Sequence, residues 1–289
     1  MDRETQLAIV RSAYAKQILA AANIDNAALE AAFATVRRED YLGPGPWPIL
    51  RPSGYVATPS ADPVYLYADV LIGIIPERGL NNGQPSAHAA FMASADPKQG
   101  EHVVHVGAGA GYYTAILSQL VGPSGRVTAI ECDPALAART AAKFSAAPNV
   151  HIVEGDGTAV VFDAADVIFV NAGATRPADA WLDGLADGGR LILPLTAKKR
   201  LPPGGTIPLS RHGAVFRIER KGNDYFARWI SPVGIYPCEG GGRDDESEAL
   251  IDGALQRGGW ENVRRLYRVG DLPDERCWLR AAGWSLAYD

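Results

Sequence analysis

His102-Val103-Val104-His105-Val106-Gly107-Ala108-Gly109-Ala110-Gly111-Tyr112 joins a short apolar run to a turn with three glycines and then to a segment of helical pattern, Tyr112 to about Leu120. A turn between a buried strand and a helix N-terminus suits ligand binding by backbone groups. Glycine lets the chain adopt positive φ and lets a ligand approach the backbone closely. The spacing is GxGxG. A dinucleotide fingerprint, GxGxxG, would need a glycine at position 112, where Tyr112 puts a ring in the space a pyrophosphate requires.

Downstream, strand-like and helical segments alternate. Arg126–Ile130 reads as a strand and Pro134 to about Ser145 as a helix. Val150–Val153 and Asp166–Val170 read as further strands, the segment around 178–185 as a helix, and Arg190–Pro194 as a fifth strand. Alternation at this pitch predicts βαβ units and a mostly parallel sheet. Ala214–Arg220 and Tyr225–Gly234 alternate across Lys221-Gly222-Asn223-Asp224 and predict an antiparallel hairpin. The fold class is therefore α/β: a Rossmann-like, doubly wound, mostly parallel sheet with a terminal antiparallel hairpin, N-terminal helices and a C-terminal extension.

Two further signals lie at strand C-termini. Glu131 ends the second strand, 24 residues after Gly107, where a carboxylate can accept hydrogen bonds from ribose hydroxyls. Gly155-Asp156-Gly157 follows the third, where Asp156 can accept from an adenine amine while Gly157 leaves room for the ring. With Gly107, Ala108, Gly109 and Gly111, these residues predict one adenosine pocket.

Upstream, residues 5–22 and 26–37 carry apolar residues at helical spacing, with Asp25-Asn26 as cap chemistry. The many prolines and glycines of 42–64 predict an irregular segment. The extension opens with Gly240-Gly241-Gly242 and with Asp244-Asp245-Glu246 at the head of a short helix. It also holds Trp260, Trp278 and Trp284, read as packing anchors. The predicted organisation is 1–78 for helices and irregular segment, 79–236 for the cofactor-binding domain and 237–289 for the extension.

Composition narrows the function. A net charge of -5 argues against a nucleic-acid binder that relies on phosphate contacts. The one compact basic run, Lys198-Lys199-Arg200, reads as a solvated turn. Cys132, Cys238 and Cys277 are scattered and odd in number, which fits neither a disulfide framework nor a zinc site. Residues 1–6 precede no apolar core of signal-peptide length. No stretch approaches the roughly 20 apolar residues of a membrane span. The expectation is a cytoplasmic protein without membrane or metal, of unspecified oligomeric state.

With these residues in hand, the chain resembles the protein-L-isoaspartate O-methyltransferases from about residue 30 to 236. Val36-Arg37-Arg38-Glu39-Asp40-Tyr41 is similar to the family's Val-Pro-Arg-Glu-aromatic segment. Tyr67-Ala68-Asp69 and Gln84-Pro85 resemble the stretch ahead of the nucleotide fold. Val106–Tyr112, Glu131, Asn149–Gly157 and Gly188–Pro194 resemble the cofactor motifs and the fifth-strand signature.

The resemblance implies S-adenosylmethionine as cofactor and a carboxylate, on a protein or a small molecule, as methyl acceptor. Gln84, Tyr112 and Asn171 join the cofactor-binding candidates, and Asn81, Asn82, Gly83 and His88 the catalytic ones. Alternatives stay open for several: Tyr112 covers cofactor or packs; Asn171 faces the methyl group or caps a turn; His88 meets substrate or makes a structural bond; Asp69 orients a lid or caps.

Two departures stand out. Gly83 replaces a family serine whose hydroxyl holds the substrate carboxylate, a loss of about 1.5–3 kcal/mol unless the Asn81 or Asn82 amide substitutes. His105 replaces an acidic residue near the cofactor's amino end. The competing readings are a cofactor-binding homologue without isoaspartyl transfer and, disfavoured by Tyr112, a nucleotide-dependent oxidoreductase.

Overall fold

A computed structural model describes residues 2–198 and 211–289. The basic run continues past Lys198 into residues outside that description.

Two helices begin the chain, α1 (Arg3–Ala21) and α2 (Ala27–Thr35), followed by the single turn α3 (Glu39–Leu42). Asn26 caps α2, its side chain accepting from the Leu29 amide. The stretch 42–64 is less irregular than its prolines suggest: β1 (Pro48–Arg51) and β2 (Gly54–Ala57) pair antiparallel. Pro48 opens the first strand and Pro52 lies in the turn, so neither removes a ladder hydrogen bond from a strand interior. A second small hairpin, β3 (Gly73–Ile75) and β4 (Leu80–Asn81), leads to α4 (Pro85–Ala95).

The nucleotide fold follows as β5 (His102–Val106), α5 (Tyr112–Val121), β6 (Arg126–Glu131), α6 (Pro134–Lys143), β7 (Val150–Glu154), β8 (Ala165–Val170), α7 (Asp179–Gly184) and β9 (Leu185–Lys198). Then come β10 (Arg211–Lys221) and β11 (Asp224–Val233), and last α8 (Asp245–Arg257), β12 (Arg265–Tyr267), β13 (Cys277–Ala281) and β14 (Trp284–Ala287).

One ten-stranded sheet runs β7-β6-β5-β8-β9-β10-β11-β12-β14-β13. Its pairings are parallel from β7 to β9 and antiparallel beyond. The chain moves outward from β5 to β7 and then returns to the other side of β5 with β8. That reversal opens a crevice beyond the C-terminal ends of β5 and β8.

Alternate residues feed two cores. Val103, Val127, Phe169 and Ile192 face α1, α2, α4 and α5, whereas Val104, Ile130, Ile168 and Leu191 face α7, α8 and the extension. Strands buried on both faces read as continuous apolar runs, which is why all five residues of β5 are buried.

The β10–β11 hairpin was expected to end the sheet. Instead β12, β14 and β13 continue it, and the extension's Leu266, Trp278, Leu279, Trp284 and Leu286 are buried in the second core. Among the described residues, no helix is long and apolar enough to cross a membrane.

Candidate functional site

The crevice holds a cleft of about 260 Å³. On one side lies the turn after β5. Gly107, Gly109 and Gly111 have φ of 78°, 56° and 92°, values that disfavour any side chain. The Gly107 and Ala108 amides donate to the Ile130 carbonyl, pinning the turn to the end of β6. A Cβ on Gly109 would meet only Ile74 at 3.7 Å, so the turn's centre faces open cleft. A Cβ on Gly111 would strike Phe144 and Thr140 at 2.9 Å, so that glycine also serves the packing of α5 against α6.

Glu131 is buried at the cleft floor. Its Oε2 accepts from the Gly109 amide at 2.6 Å and its Oε1 from the Asp133 amide at 2.9 Å. The Asn171 amide group donates to the Gly107 carbonyl at 3.2 Å, joining the end of β8 to the turn. Gly157 lines the cleft, its carbonyl held by the Trp181 indole at 2.7 Å.

Asp156 is placed differently from its two glycines. It does not line the cleft; its carboxylate accepts from the Gly241 amide at 2.8 Å and from the amide and hydroxyl of Thr158. Burial would raise its pKa, but these three donors outweigh that and hold it below the ordinary carboxylate value. Asp156 thus ties the glycine loop of the extension to the end of β7.

Tyr112 borders the cleft, yet its ring packs among Phe33, Tyr41 and Tyr113, with its hydroxyl 3.4 Å from that of Tyr14.

On the opposite side, β4 leads through Asn81, Asn82 and Gly83 into α4. Asn81 is spent on its own loop: its Oδ1 accepts from the Gly83 amide at 2.9 Å and its Nδ2 donates to the Gly79 carbonyl at 3.2 Å. Asn82 is buried and lines the cleft. Its Oδ1 accepts from the Ile72 amide at 2.9 Å, while Nδ2 has no partner among the described residues. Gln84 lines the cleft and donates to Asp69 at 2.9 Å. Asp69 also accepts from the Ser86 amide (2.9 Å) and hydroxyl (2.6 Å), and so caps the α4 N-terminus from outside the helix.

His88, 2% exposed, stacks on Tyr113 with ring centroids 3.8 Å apart. The Tyr113 hydroxyl donates to the Gly83 carbonyl at 3.2 Å. A Cβ on Gly83 would lie 2.1 Å from His88 Nε2, so the imidazole occupies the space a side chain at position 83 would need. Burial, with a smaller push from His105 and Arg38, lowers the His88 pKa to about 3; the ring is neutral at physiological pH. His105 is fully buried and does not line the cleft; its Nδ1 lies 2.9 Å from Thr114 Oγ1.

Several cleft residues escaped the sequence reading. Tyr113 is the stacking partner of His88, and the neighbouring Tyr112 drew the attention instead. Arg78 pairs with Asp133 at 2.6 Å and Glu239 at 2.8 Å, and the Tyr236 hydroxyl donates to Glu239. These bonds link the β3–β4 hairpin, the end of β6 and the head of the extension across the cleft. Their residues lie in loops far apart in sequence and form no motif.

A glycine turn at a helix N-terminus, a floor carboxylate and an amide at the next strand end fit an adenosine-containing cofactor. Comparison with known proteins agrees. The family model for protein-L-isoaspartate(D-aspartate) O-methyltransferase matches residues 57–202. The protein-L-isoaspartate O-methyltransferase of Ignicoccus hospitalis is 32% identical over 157 residues, covering 53% of this chain and 69% of that protein. The Thermotoga maritima protein of that name is 32% identical, over 54% of this chain and 48% of its own. The one from Methylorubrum populi is 32% identical over 224 residues, 76% of this chain and 90% of its own.

A solved protein-L-isoaspartate O-methyltransferase superposes with a TM-score of 0.63 at 23% identity, over 84% of this chain and 69% of that one. A Plasmodium falciparum structure, described as a putative member in complex with S-adenosyl-L-homocysteine, gives 0.60 at 17% identity, over 79% and 98%. At such identities the two structures speak for the fold alone. The matched sequence and the shared architecture together establish that this chain belongs to the protein-L-isoaspartate O-methyltransferase family and is an S-adenosylmethionine-dependent methyltransferase.

Proposed function

We propose that the chain methylates a carboxylate, and that its acceptor is the free carboxylate of an isoaspartyl residue in a protein. The observation that carries this reading is the pair of polar groups flanking Gly83. Asn82 Nδ2 is a buried donor without a partner, and the neutral imidazole of His88 occupies the neighbouring space. One donor from each suits the two oxygens of a carboxylate. They also compensate for the hydroxyl that Gly83 lacks.

The remaining chemistry is spare. S-adenosylmethionine, when bound, supplies a methyl group on a sulfonium, a good leaving group. A carboxylate is already anionic at neutral pH and needs no general base. The lining residues accord with that: His88 is too weakly basic to take a proton, and both oxygens of Glu131 accept from backbone amides. The chain contributes alignment and exclusion of water. On this reading residues 79–236 hold the cofactor through Gly107–Gly111, Glu131, Gly157 and Asn171, while 1–78 and 237–289 frame the acceptor side. The names of the curated relatives support the same acceptor.

Calorimetric titration with S-adenosylmethionine, followed by labelled methyl transfer to an isoaspartyl peptide, tests the proposal. Binding with transfer is expected. Glu131→Ala should weaken cofactor binding more than tenfold, because charge-assisted bonds to the ribose are lost. Binding without transfer to that peptide would reject the isoaspartyl acceptor.

A further inference from the structure

Tyr113 is the second residue of α5, two positions after the last glycine of the cofactor turn. It is buried at the edge of the cleft and touches the acceptor side twice. Its ring stacks on the His88 imidazole, with centroids 3.8 Å apart and planes 22° from parallel. Its hydroxyl donates to the Gly83 carbonyl at 3.2 Å, a direction that follows because a carbonyl can only accept. Burial raises the Tyr113 pKa well above 10, so the donor keeps its proton at any physiological pH.

Each contact removes a different freedom. Glycine has the most permissive backbone, and Gly83 lines the cleft with φ of 75°. Asn81 Oδ1 accepts from its amide and the Tyr113 hydroxyl donates to its carbonyl, so both backbone polar groups are held. The imidazole lies against the Tyr113 face, with Phe91 edge-on at 5.8 Å, which fixes the ring plane while Nε2 stays beside Gly83. Tyr113 itself is anchored at the cofactor turn, because the Ala115 amide donates to the Gly111 carbonyl at 3.0 Å and closes the first turn of α5. One side chain thus ties the groups flanking Gly83 to the turn that holds the cofactor.

Methyl transfer demands such a tie. The acceptor oxygen must lie in line with the methyl group and the sulfur it leaves, and a misplacement of about 1 Å costs about 100-fold in rate. We propose that Tyr113 is a positioning residue for the transfer: from the cofactor side it holds the Gly83 backbone and the His88 ring, and so sets the acceptor carboxylate in line with the methyl group. The inference rests on the carboxylate reading above for the identity of the group positioned. Sequence alone gives no sign of it, since Tyr113 lies 30 residues from Gly83 and 25 from His88.

Two substitutions separate the contacts: Tyr113→Phe keeps the ring and removes the hydroxyl, and Tyr113→Leu removes both. With an isoaspartyl peptide, Tyr113→Phe should lower kcat about tenfold, the worth of one hydrogen bond. Peptide KM and cofactor affinity should stay within about threefold, because the hydroxyl touches neither ligand. Tyr113→Leu should lower kcat about 100-fold. A residue that only supports the fold would lower the unfolding midpoint and leave kcat of the folded protein unchanged, so an unchanged kcat in Tyr113→Phe would overturn the proposal. Nuclear magnetic resonance of the full-length protein with S-adenosylhomocysteine reads the contacts without turnover. The His88 ring protons should be shifted upfield by the tyrosine face in the unmodified chain and in Tyr113→Phe, and the Gly83 carbonyl carbon should move upfield when the hydroxyl is removed. Absence of either shift would overturn the proposal as well. If the peptide is not methylated at all, the acceptor class is rejected, and these two shifts alone decide whether Tyr113 holds the pair.

Discussion

At position 83, sequence and structure give different meanings to one residue. Beside the family pattern, Gly83 reads as a lost hydroxyl. In the fold it is the counterpart of His88, whose Nε2 fills the place of its Cβ. Gly83 also has φ of 75°, a left-handed conformation that costs a residue with a Cβ about 1–2 kcal/mol. Restoring serine alone should therefore fail. Gly83→Ser is expected to lower stability by that strain plus about 1–3 kcal/mol of overpacking against the imidazole. In the double variant with His88→Ala the overpacking is relieved and the strain persists. Urea unfolding of the four proteins should show a favourable coupling of about 1–3 kcal/mol between the two sites; additivity within about 0.5 kcal/mol would mean that the crowding is not real. Glu131 was legible because a carboxylate at a strand end after a glycine turn is a local pattern. The engagement of Asp156 was not, since its partner Gly241 comes 85 residues later.

Among the elements, the decisive relation is how the segment before the nucleotide fold holds α4. Arg38, fully buried, donates to the carbonyls of Leu66 (2.5 Å), Ala68 (3.0 Å) and Val70 (2.9 Å) and lies over the rings of Tyr14 and Tyr112. The loop it gathers carries Asp69, which caps α4 and so orients the helix that presents His88. Tyr67 from the same loop donates to Glu39. The resemblance at Val36–Tyr41 pointed to this segment but could not show its work. A buried arginine runs against the usual placement of charge, and its three acceptors come about thirty residues later. Arg38→Met keeps the apolar volume and leaves the carbonyls without their donor. It should cost about 2–4 kcal/mol and make residues 66–70 susceptible to proteolysis. A chemical denaturation midpoint unchanged from the parent would show that the loop is held by other contacts.

Across the whole molecule, the sheet was readable where βαβ repetition made it so, from β5 to β9, and unreadable beyond β11. The strands β12, β13 and β14 have three to five residues and pair through turns with no strong alternation. Only the buried tryptophans hinted that residues 258–289 close the second core. That closed interior gives the molecule a pH signature. His88 and His105 are held neutral by burial, each with a pKa lowered from 6.5 to about 3. The unfolded chain takes up their protons first. Stability from their burial is therefore present in full above about pH 6.5, and is lost as pH falls from there toward 3. For two such groups the loss between pH 6.5 and 5 is about 3 kcal/mol, a large share of the 5–15 kcal/mol typical of a domain. Urea midpoints should fall steeply across that interval, before carboxylates such as Asp156 begin to protonate. His105→Phe, which removes one of the two groups, should roughly halve the slope even where it lowers stability at pH 7.5. A slope unchanged by that substitution would mean that ionisation elsewhere governs acid unfolding.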